Sequence, residues 1–213
     1  MNGIFAIYKP VGPTSHDVID ELRHKTGIKK IGHAGTLDPL AKGVLVVAIG
    51  REATKKLSDI VKMEKEYITT IHLGEESTTD DAEGQKNKIK VDHQPDILIL
   101  NEVIKKFEGD IKQVPPKYSA IKVGGQKAYQ LARRGEAVNL GARSVFIKSI
   151  AILNFDWPEL KLRVICGSGV YIRSLARDIG RELNTGGYIK ELERVRVGNY
   201  SLQDVKKLES FTG

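Results

Sequence analysis

The chain has 213 residues and a single cysteine, Cys166, which excludes a disulfide framework and a cysteine-rich zinc site. Its hydrophobic content of 40% is sufficient for a folded core, and its net charge of +7 favours a polyanionic partner. No apolar run reaches membrane-spanning length and no signal-peptide pattern is present, so a reducing cytoplasm and no membrane association are expected.

The first fifty residues predict a short strand, a helix and a buried strand. The first strand, residues 3–8, stops at Lys9-Pro10 because proline lacks a backbone donor. Ser15 is predicted to cap the helix that follows. This helix has one apolar face and ends at a glycine; the residues concerned are Val18, Ile19, Leu22 and Gly27. Residues 44–49 are all apolar and predict a buried strand.

The next thirty residues predict a helix, a strand and a loop. Residues 53–63 predict a helix whose inward side chains are Leu57, Ile60 and Val61. Residues 65–73 alternate with a period of two, which predicts a strand. Residues 75–84 carry five acidic side chains but lack the calcium-loop signature, so a solvated loop is preferred to a metal or acid–base site.

Strands outnumber helices in the remainder of the chain. Helices are predicted at 97–107, 128–134 and 171–183, and strands at 144–153, 160–166 and 194–197. Pro115-Pro116 excludes a central strand there, because two prolines remove two ladder donors. Strands and helices mostly do not alternate one for one. We therefore predict an α+β fold with a mixed, mostly antiparallel sheet flanked by helices.

Residues 32–43 read Gly-His-Ala-Gly-Thr-Leu-Asp-Pro-Leu-Ala-Lys-Gly and lead directly into the apolar strand. The three glycines and Pro39 shape this loop, which holds one carboxylate, Asp38. Judged by composition alone, Asp38 is a turn residue that binds its own backbone. The whole string, however, resembles the catalytic loop of the TruB-like pseudouridine synthases, which modify the T loop of tRNA.

Further stretches resemble the same family and occur in the same order along nearly the whole chain. They are Lys9-Pro10, Lys65-Glu66-Tyr67, residues 115–122, residues 169–176, and Leu192 with Arg196-Val197-Gly198. Two positions depart from the family pattern: Val170 replaces a threonine, and Glu193 stands where a basic residue is common. The resemblance implies the pseudouridine synthase fold across residues 1–213, without the C-terminal PUA domain that family members usually carry.

The resemblance also implies a reaction that needs neither a cofactor nor a metal. It makes Asp38 the nucleophile and Arg173 the cation that keeps this carboxylate ionised. Tyr67 would stack on the target uracil, and its hydroxyl is a weaker candidate for removing the carbon-5 proton. Leu192 and Tyr171 would line the pocket. Without the family motifs, Arg173 fits a phosphate or surface arginine equally well, and Tyr67 fits a core aromatic.

Contacts to RNA are assigned to one histidine and a set of basic side chains. In the family the residue matching His33 helps to fill the space left by flipped bases, although a lone histidine also fits a structural role. The candidates for backbone contacts are Lys9, Lys65, Lys122, Lys127, Arg133, Arg134, Arg177, Arg194 and Arg196. Any one of these also fits a solvated surface charge.

Taken with the charge, the resemblance implies a monomeric, cytoplasmic tRNA pseudouridine(55) synthase that binds the T-arm of tRNA. Two alternatives stay open. The first is a non-catalytic chaperone of tRNA folding, and the second is the synthase subunit of a complex guided by a separate RNA. The complete Asp38, Tyr67 and Arg173 set argues against the first alternative, and the short chain argues against the second.

Overall fold

The computed structural model describes residues 2–211, and the chain divides into two compact units. The first unit consists of Met1–Ile68, Val164–Ser168 and Glu191–Gly213, and the second consists of Thr69–Arg163 and Gly169–Lys190. None of the helices within residues 2–211 is both long enough and apolar enough to cross a membrane.

The described residues form six α-helices and fourteen strands. The helices are α1 (Ser15–Thr26), α2 (Arg51–Lys55), α3 (Leu57–Lys62), α4 (Ile97–Lys105), α5 (Ala128–Arg133) and α6 (Ile172–Glu182). The strands are β1 (Gly3–Lys9), β2 (Ile31–His33), β3 (Ala41–Ile49), β4 (Lys65–Leu73), β5 (Glu75–Ser77), β6 (Lys86–Lys88), β7 (Gly109–Gln113), β8 (Lys122–Val123), β9 (Gln126–Lys127), β10 (Arg143–Asp156), β11 (Glu159–Cys166), β12 (Gly187–Val197), β13 (Tyr200–Ser201) and β14 (Val205–Lys206). A short 3-10 helix follows at Leu208–Ser210.

Strand β3 is the centre of the first unit and is buried on both faces, as its apolar sequence predicts. It pairs antiparallel with β1 and β2 and parallel with β12. Alternate side chains enter two different cores: Leu45, Val47 and Ile49 pack with α1, whereas Val44 and Val46 pack on the other side. The rigid strand that follows the Asp38 loop is therefore anchored from both sides.

Helix α1 confirms the predicted apolar face and its end at Gly27, but the predicted cap is wrong. Thr14 is the N-cap, and it forms a capping box with Asp17. The Thr14 hydroxyl accepts from the Asp17 amide at 3.1 Å, and the Asp17 carboxylate accepts from the Thr14 amide at 2.7 Å. Ser15 is the first helical residue and is buried, and its hydroxyl binds the backbone of Leu37 instead of capping the helix.

The helix predicted at 53–63 is two short helices, α2 and α3, which are separated at Lys56. In α3 only Ile60 is buried, while Val61 is 39% exposed, so the inward orientation predicted for Val61 is wrong. With six residues, α3 presents little more than one side chain to the core, and the next position lies about 100° further round the helix.

The second unit combines strands with α4, α5 and α6. The order of its main strands is β4, β11, β10 and β7, and β10 pairs antiparallel with β7 from Arg143↔Gln113 to Ile147↔Gly109. The strands predicted at 144–153 and 160–166 are confirmed as the longer β10 and as β11, and the helix predicted at 171–183 as α6. The predicted α+β fold with a mixed, mostly antiparallel sheet is confirmed.

Candidate active site

Asp38 lies in the loop between β2 and β3 and is partly exposed. The Asp38 carbonyl accepts from the Ala41 amide at 3.0 Å, which closes a β-turn with Pro39 at its second position. The Ala34 amide donates to the carbonyl of Val46 at 2.8 Å, so the start of the loop is tied to β3. The predicted shaped loop is confirmed.

The segment that runs from the end of β1 into the first turn of α1 holds this loop from a second side. The Ser15 hydroxyl donates to the Leu37 carbonyl at 3.0 Å and accepts from the Leu37 amide at 2.8 Å. The Gly12 amide donates to the Pro39 carbonyl at 2.9 Å. Both neighbours of Asp38 in the sequence are therefore fixed by hydrogen bonds to the same segment.

Lys9 lies buried beside the Asp38 loop and is not a surface residue. Its side chain is fully buried, and its ammonium donates to the carbonyls of Pro13 at 2.7 Å and Pro10 at 2.9 Å. Burial lowers the pKa of Lys9 to about 8, an effect that Asp38 opposes and Arg194 reinforces. An ammonium enclosed by carbonyl oxygens cannot reach a phosphate, so the geometry argues against the predicted RNA contact of Lys9.

Tyr67 lies on β4 with 7% of its surface exposed. Burial raises the pKa of its hydroxyl, and the positive charge of Arg194 opposes that rise, while the Asp38 carboxylate reinforces it. The phenol is therefore neutral at physiological pH. This argues against the idea that Tyr67 removes a proton as a phenolate.

Arg194 is the largest fully buried side chain among the described residues. Its Nε donates to the Val44 carbonyl at 2.8 Å, its Nη2 to the Gly35 carbonyl at 3.0 Å and its Nη1 to the Thr36 carbonyl at 3.5 Å. The sequence assigned Arg194 only to RNA contacts, and its burial argues against that. The sequence did contain one indication that Arg194 is buried. Arg194 lies two residues after Leu192, so both side chains point to the same face of β12.

Lys65 and Arg196, two further basic residues of this unit that were predicted to contact RNA, also bind groups of the protein. The Lys65 ammonium donates to the carbonyls of Val61 at 2.8 Å and Met63 at 2.7 Å, and 6% of the residue is exposed. Arg196 forms ion pairs with Glu64 at 2.7 Å and Glu66 at 3.1 Å. These contacts do not favour phosphate binding by either side chain.

Arg173 and Tyr171 belong to the second unit, whereas Asp38, Tyr67, His33 and Leu192 belong to the first. The Arg173 guanidinium is buried and donates to the Asp81 carboxylate at 3.2 Å and to the carbonyls of Tyr118 at 2.9 Å and Thr79 at 3.3 Å. Its alternative assignment as a surface arginine is therefore wrong.

The acidic loop at 75–84 is not the solvated loop that its composition predicts. Asp81 is 2% exposed and also accepts hydrogen bonds from the Thr79 hydroxyl and from the Glu83 amide. Asp80 pairs with Arg177 at 2.9 Å, and burial raises the pKa of Asp80 although Arg177 opposes the shift. The sequence did not reveal these two ion pairs, because the partners are far apart in the chain: Asp81 and Arg173, for example, are separated by 92 residues.

Backbone contacts position the two pocket-lining candidates, Tyr171 and Leu192. The side chain of Gln113 forms two hydrogen bonds with the backbone of Tyr171, as a donor to its carbonyl at 3.1 Å and an acceptor from its amide at 2.9 Å. Leu192 is 7% exposed and lies opposite Ala41 in the β12–β3 pair. Burial lowers the pKa of His33, so its imidazole is neutral at physiological pH.

Lys122 and Arg133 are exposed, as predicted. They lie on β8 and α5, where Lys127 and Arg134 are exposed as well. The guanidinium of Arg133 lies 5.6 Å from the ring centre of Tyr129. This part of the second unit combines solvent-accessible positive charge with an aromatic ring.

The fold and these residues define a pseudouridine synthase. The chain superposes on Cbf5 chains solved in two complexes: one titled as a Cbf5-Nop10-Gar1 complex, with a TM-score of 0.76 and 30% identity, and one as an archaeal box H/ACA sRNP Nop10-Cbf5 complex, with a TM-score of 0.72 and 28% identity. These alignments cover 97% and 99% of this chain and 52% of each Cbf5 chain, so this chain spans about half the length of those proteins.

The chain belongs to the TruB family of pseudouridylate synthases. The model of the family's N-terminal domain matches residues 23–172, and the model of the tRNA pseudouridylate synthase B C-terminal domain matches residues 173–213. Proteins named tRNA pseudouridine synthase B are 44% identical in Thermobifida fusca, over 99% of this chain and 74% of that protein, and 45% identical in Clostridium novyi, over 100% and 73%. The relative of that name in Phocaeicola vulgatus is 43% identical over 95% of this chain and 88% of its own length.

Proposed function

We propose that this chain is a tRNA pseudouridine synthase of the cytoplasm that isomerises uridine 55 in the T loop of tRNA. The observation that carries the proposal is the double anchoring of the Asp38 loop, on β3 and on the β1–α1 segment, in a member of this family. The names of the relatives, which run from 43% to 46% identity, support tRNA as the substrate.

The reaction conserves every atom of the nucleoside. The bond between N1 of uracil and C1′ of ribose breaks, the base rotates, a bond between C5 and C1′ forms, and the proton on C5 moves to N1 through solvent or a protein group. Nothing is oxidised or reduced. Asp38 acts as the nucleophile, and a partly exposed carboxylate in an anchored loop suits an attack that depends on position.

Tyr67 stacks on the extruded uracil, and Leu192 lines the pocket around it. Base–aromatic stacking contributes about 1–3 kcal/mol, whereas extrusion of a nucleotide costs a few kcal/mol. Stacking therefore offsets much of the extrusion cost, and contacts to the RNA backbone supply the remainder. The neutral imidazole of His33 suits contact with an uncharged base better than contact with a phosphate.

Arg173 is the cation of the proposed catalytic set, a role that rests on the family motif at residues 169–176. The hydrogen bonds of Arg173 to Asp81 and to two backbone carbonyls support a fixed guanidinium. An arginine with a preset orientation loses little freedom when the nucleophile reacts.

The exposed basic residues of the β8–α5 region contact the RNA backbone. Their charges are accessible, and Tyr129 offers a ring for an unstacked base. Because phosphate contacts release counterions, the affinity for tRNA falls steeply as salt increases.

The experiment that tests the proposal is tritium release from a tRNA transcript labelled at C5 of uridine, with the wild type and the Asp38→Asn variant compared. Release by the wild type alone, with similar tRNA binding by both proteins, supports the proposal. Release by both proteins, or release from a transcript that lacks uridine 55, contradicts it. No release by the wild type despite tRNA binding favours a tRNA-folding chaperone or a requirement for a guide RNA.

A further inference from the structure

One buried guanidinium in the first unit binds both the loop that carries Asp38 and the core strand β3. Arg194 donates to the carbonyls of Gly35 and Thr36, which precede Asp38 by three and two residues. Its positive charge also acts on the Tyr67 hydroxyl, where it opposes the rise in pKa that burial causes. Its third carbonyl partner, Val44, lies in β3 and ties the guanidinium to the rigid core of the unit.

The backbone around Arg194 is built to place this side chain. Parallel pairing of β12 with β3 sets Arg194 opposite Gly43, whose φ is +109°. A Cβ atom at Gly43 would lie 2.2 Å from the Arg194 carbonyl oxygen, so only glycine permits the two strands to approach this closely. The base of the arginine side chain is therefore held at a fixed distance from β3.

The charge of Arg194 acts on several groups that surround the Asp38 loop. It opposes the rise in the pKa of Tyr67 that burial causes, and it lowers the pKa of Lys9, Lys65 and His33. Burial is the larger cause of each of these shifts; the charge of Arg194 adds to it at the three basic side chains and opposes it at Tyr67. Arg194 thus contributes both hydrogen bonds and a fixed electrostatic field.

We propose that Arg194 is a positioning residue for the isomerisation, because its single guanidinium holds the backbone before Asp38 against the core strand β3. This inference rests on the proposed function of Asp38 and Tyr67. Arg194 is fully buried, so it acts through the backbone that carries the nucleophile.

The planar fork of arginine is required for this role. Three of its nitrogens reach three carbonyls in fixed directions, whereas the ammonium of a lysine has one nitrogen on a flexible stem. A reacting group that moves by about 1 Å loses on the order of 100-fold in rate. Replacement by lysine keeps the charge but releases the loop, so it should slow the chemical step more than it weakens tRNA binding.

The test measures single-turnover tritium release, tRNA affinity and thermal unfolding for Arg194→Lys, Arg194→Met and Arg23→Met. Arg23 is a matched control, because its guanidinium also donates to two backbone carbonyls of the first unit, Lys29 at 3.2 Å and Ile31 at 3.4 Å. We expect Arg194→Lys to reduce the single-turnover rate by about 10-fold or more with little change in the Kd for tRNA, and Arg194→Met to reduce it further. Arg23→Met should keep the wild-type rate.

A double-mutant cycle with Ser15→Ala separates positioning from stability. Because Ser15 and Arg194 both hold the backbone directly before Asp38, the loss of rate caused by Arg194→Lys should be smaller in the Ser15→Ala background than in the wild type. Equal losses in both backgrounds would show that Arg194 does not act through the Asp38 loop and would overturn the inference.

The remaining outcomes also decide the question. A wild-type rate for Arg194→Lys, or a rate loss explained entirely by a weaker Kd, overturns the positioning role while the proposed function stands. If both Arg194 variants fail to fold and Arg23→Met folds, Arg194 is a stability residue only, and the inference is again overturned. An inactive wild type, or an active Asp38→Asn variant, contradicts the proposed function itself, and the positioning role then falls with it.

Discussion

Ser15 and Leu37 lie 22 residues apart in the sequence and exchange two hydrogen bonds. The Ser15 hydroxyl satisfies both the amide and the carbonyl of Leu37, the residue directly before Asp38. Both residues are buried, so water cannot replace these bonds. The first turn of α1 therefore fixes the backbone on which the proposed nucleophile is carried.

We predict that Ser15→Ala loses both stability and turnover. It leaves the Leu37 amide and carbonyl buried without their side-chain partner, which costs about 1–3 kcal/mol in the free energy of unfolding. The loosened loop should also slow tritium release. Thr14→Ala is the matched control: it removes the helix cap, costs about 1 kcal/mol and should leave the single-turnover rate unchanged. Equal rates for the two variants would show that the Ser15 bonds do not position Asp38.

Gly43→Ala is predicted to be strongly destabilising. The new Cβ would lie 2.2 Å from the carbonyl oxygen of Arg194, and β12 cannot move away without breaking its pairing with β3. Gly12→Ala is a suitable comparison, because Gly12 has a φ of +111° but no heavy atom within 4 Å of the added Cβ. We expect Gly43→Ala to cost about 2 kcal/mol more than Gly12→Ala in urea unfolding. Equal costs would mean that only the dihedral angle matters.

Asp81→Asn should destabilise the second unit. The Asp81 and Arg173 side chains are 3% and 7% exposed, and removal of one charge from a buried ion pair costs on the order of 3 kcal/mol. Asp20→Asn provides the contrast, because the Asp20–Arg23 pair is exposed and should contribute little. Chemical denaturation of the two variants measures the difference. A cost for Asp81→Asn as small as that for Asp20→Asn would contradict the importance of this ion pair.

The lowered pKa of Lys9 leads us to predict that the stability of the protein depends on pH. Its pKa is about 8 in the folded protein and 10.5 when unperturbed, so between these values the unfolded chain holds a proton that the folded protein has released. The free energy of unfolding should therefore rise with pH across this window, by about 3 kcal/mol at 1.36 kcal/mol per pKa unit. As pH falls through 8 this contribution is lost.

The measurement compares the wild type with Lys9→Met from pH 6 to pH 10.5. The difference between their free energies of unfolding should stay constant below pH 7.5 and increase in favour of the wild type above pH 8, because methionine has no proton to release. A difference that does not change with pH would place the pKa of Lys9 near its ordinary value.

The contributions of the Tyr67 ring and of its hydroxyl are separable. Tyr67→Phe keeps the ring and loses only the hydroxyl, whereas Tyr67→Ala also removes about 1–3 kcal/mol of stacking. We expect the Ala variant to lose more tRNA binding and more turnover than the Phe variant. Equal losses would reject stacking as the role of Tyr67. Binding titrations at fixed salt provide the comparison.

Local patterns in the sequence account for much of the fold. The apolar run at 44–49 predicts β3 because a strand buried on both faces needs no alternation. Gly27 ends α1 because its φ of 69° is unfavourable for other residues. The weaker predictions failed where local preference was nearly balanced: Thr14 and Ser15 are both good caps, and the three-dimensional position of Leu37 determined which of them entered the helix.

By itself the sequence determined the α+β class, the family and the identity of Asp38 as the proposed nucleophile, because these depend on periodicity and on a contiguous motif. Only the tertiary structure decided which charges are buried and what they bind. Arg194, Asp81 and Lys9 look like surface charges in the sequence, yet each is buried and hydrogen-bonded to groups that it meets only in the folded chain. Burial of a charge requires several partners at once, and the fold alone brings together partners that are as many as 159 residues apart, as Arg194 and Gly35 are.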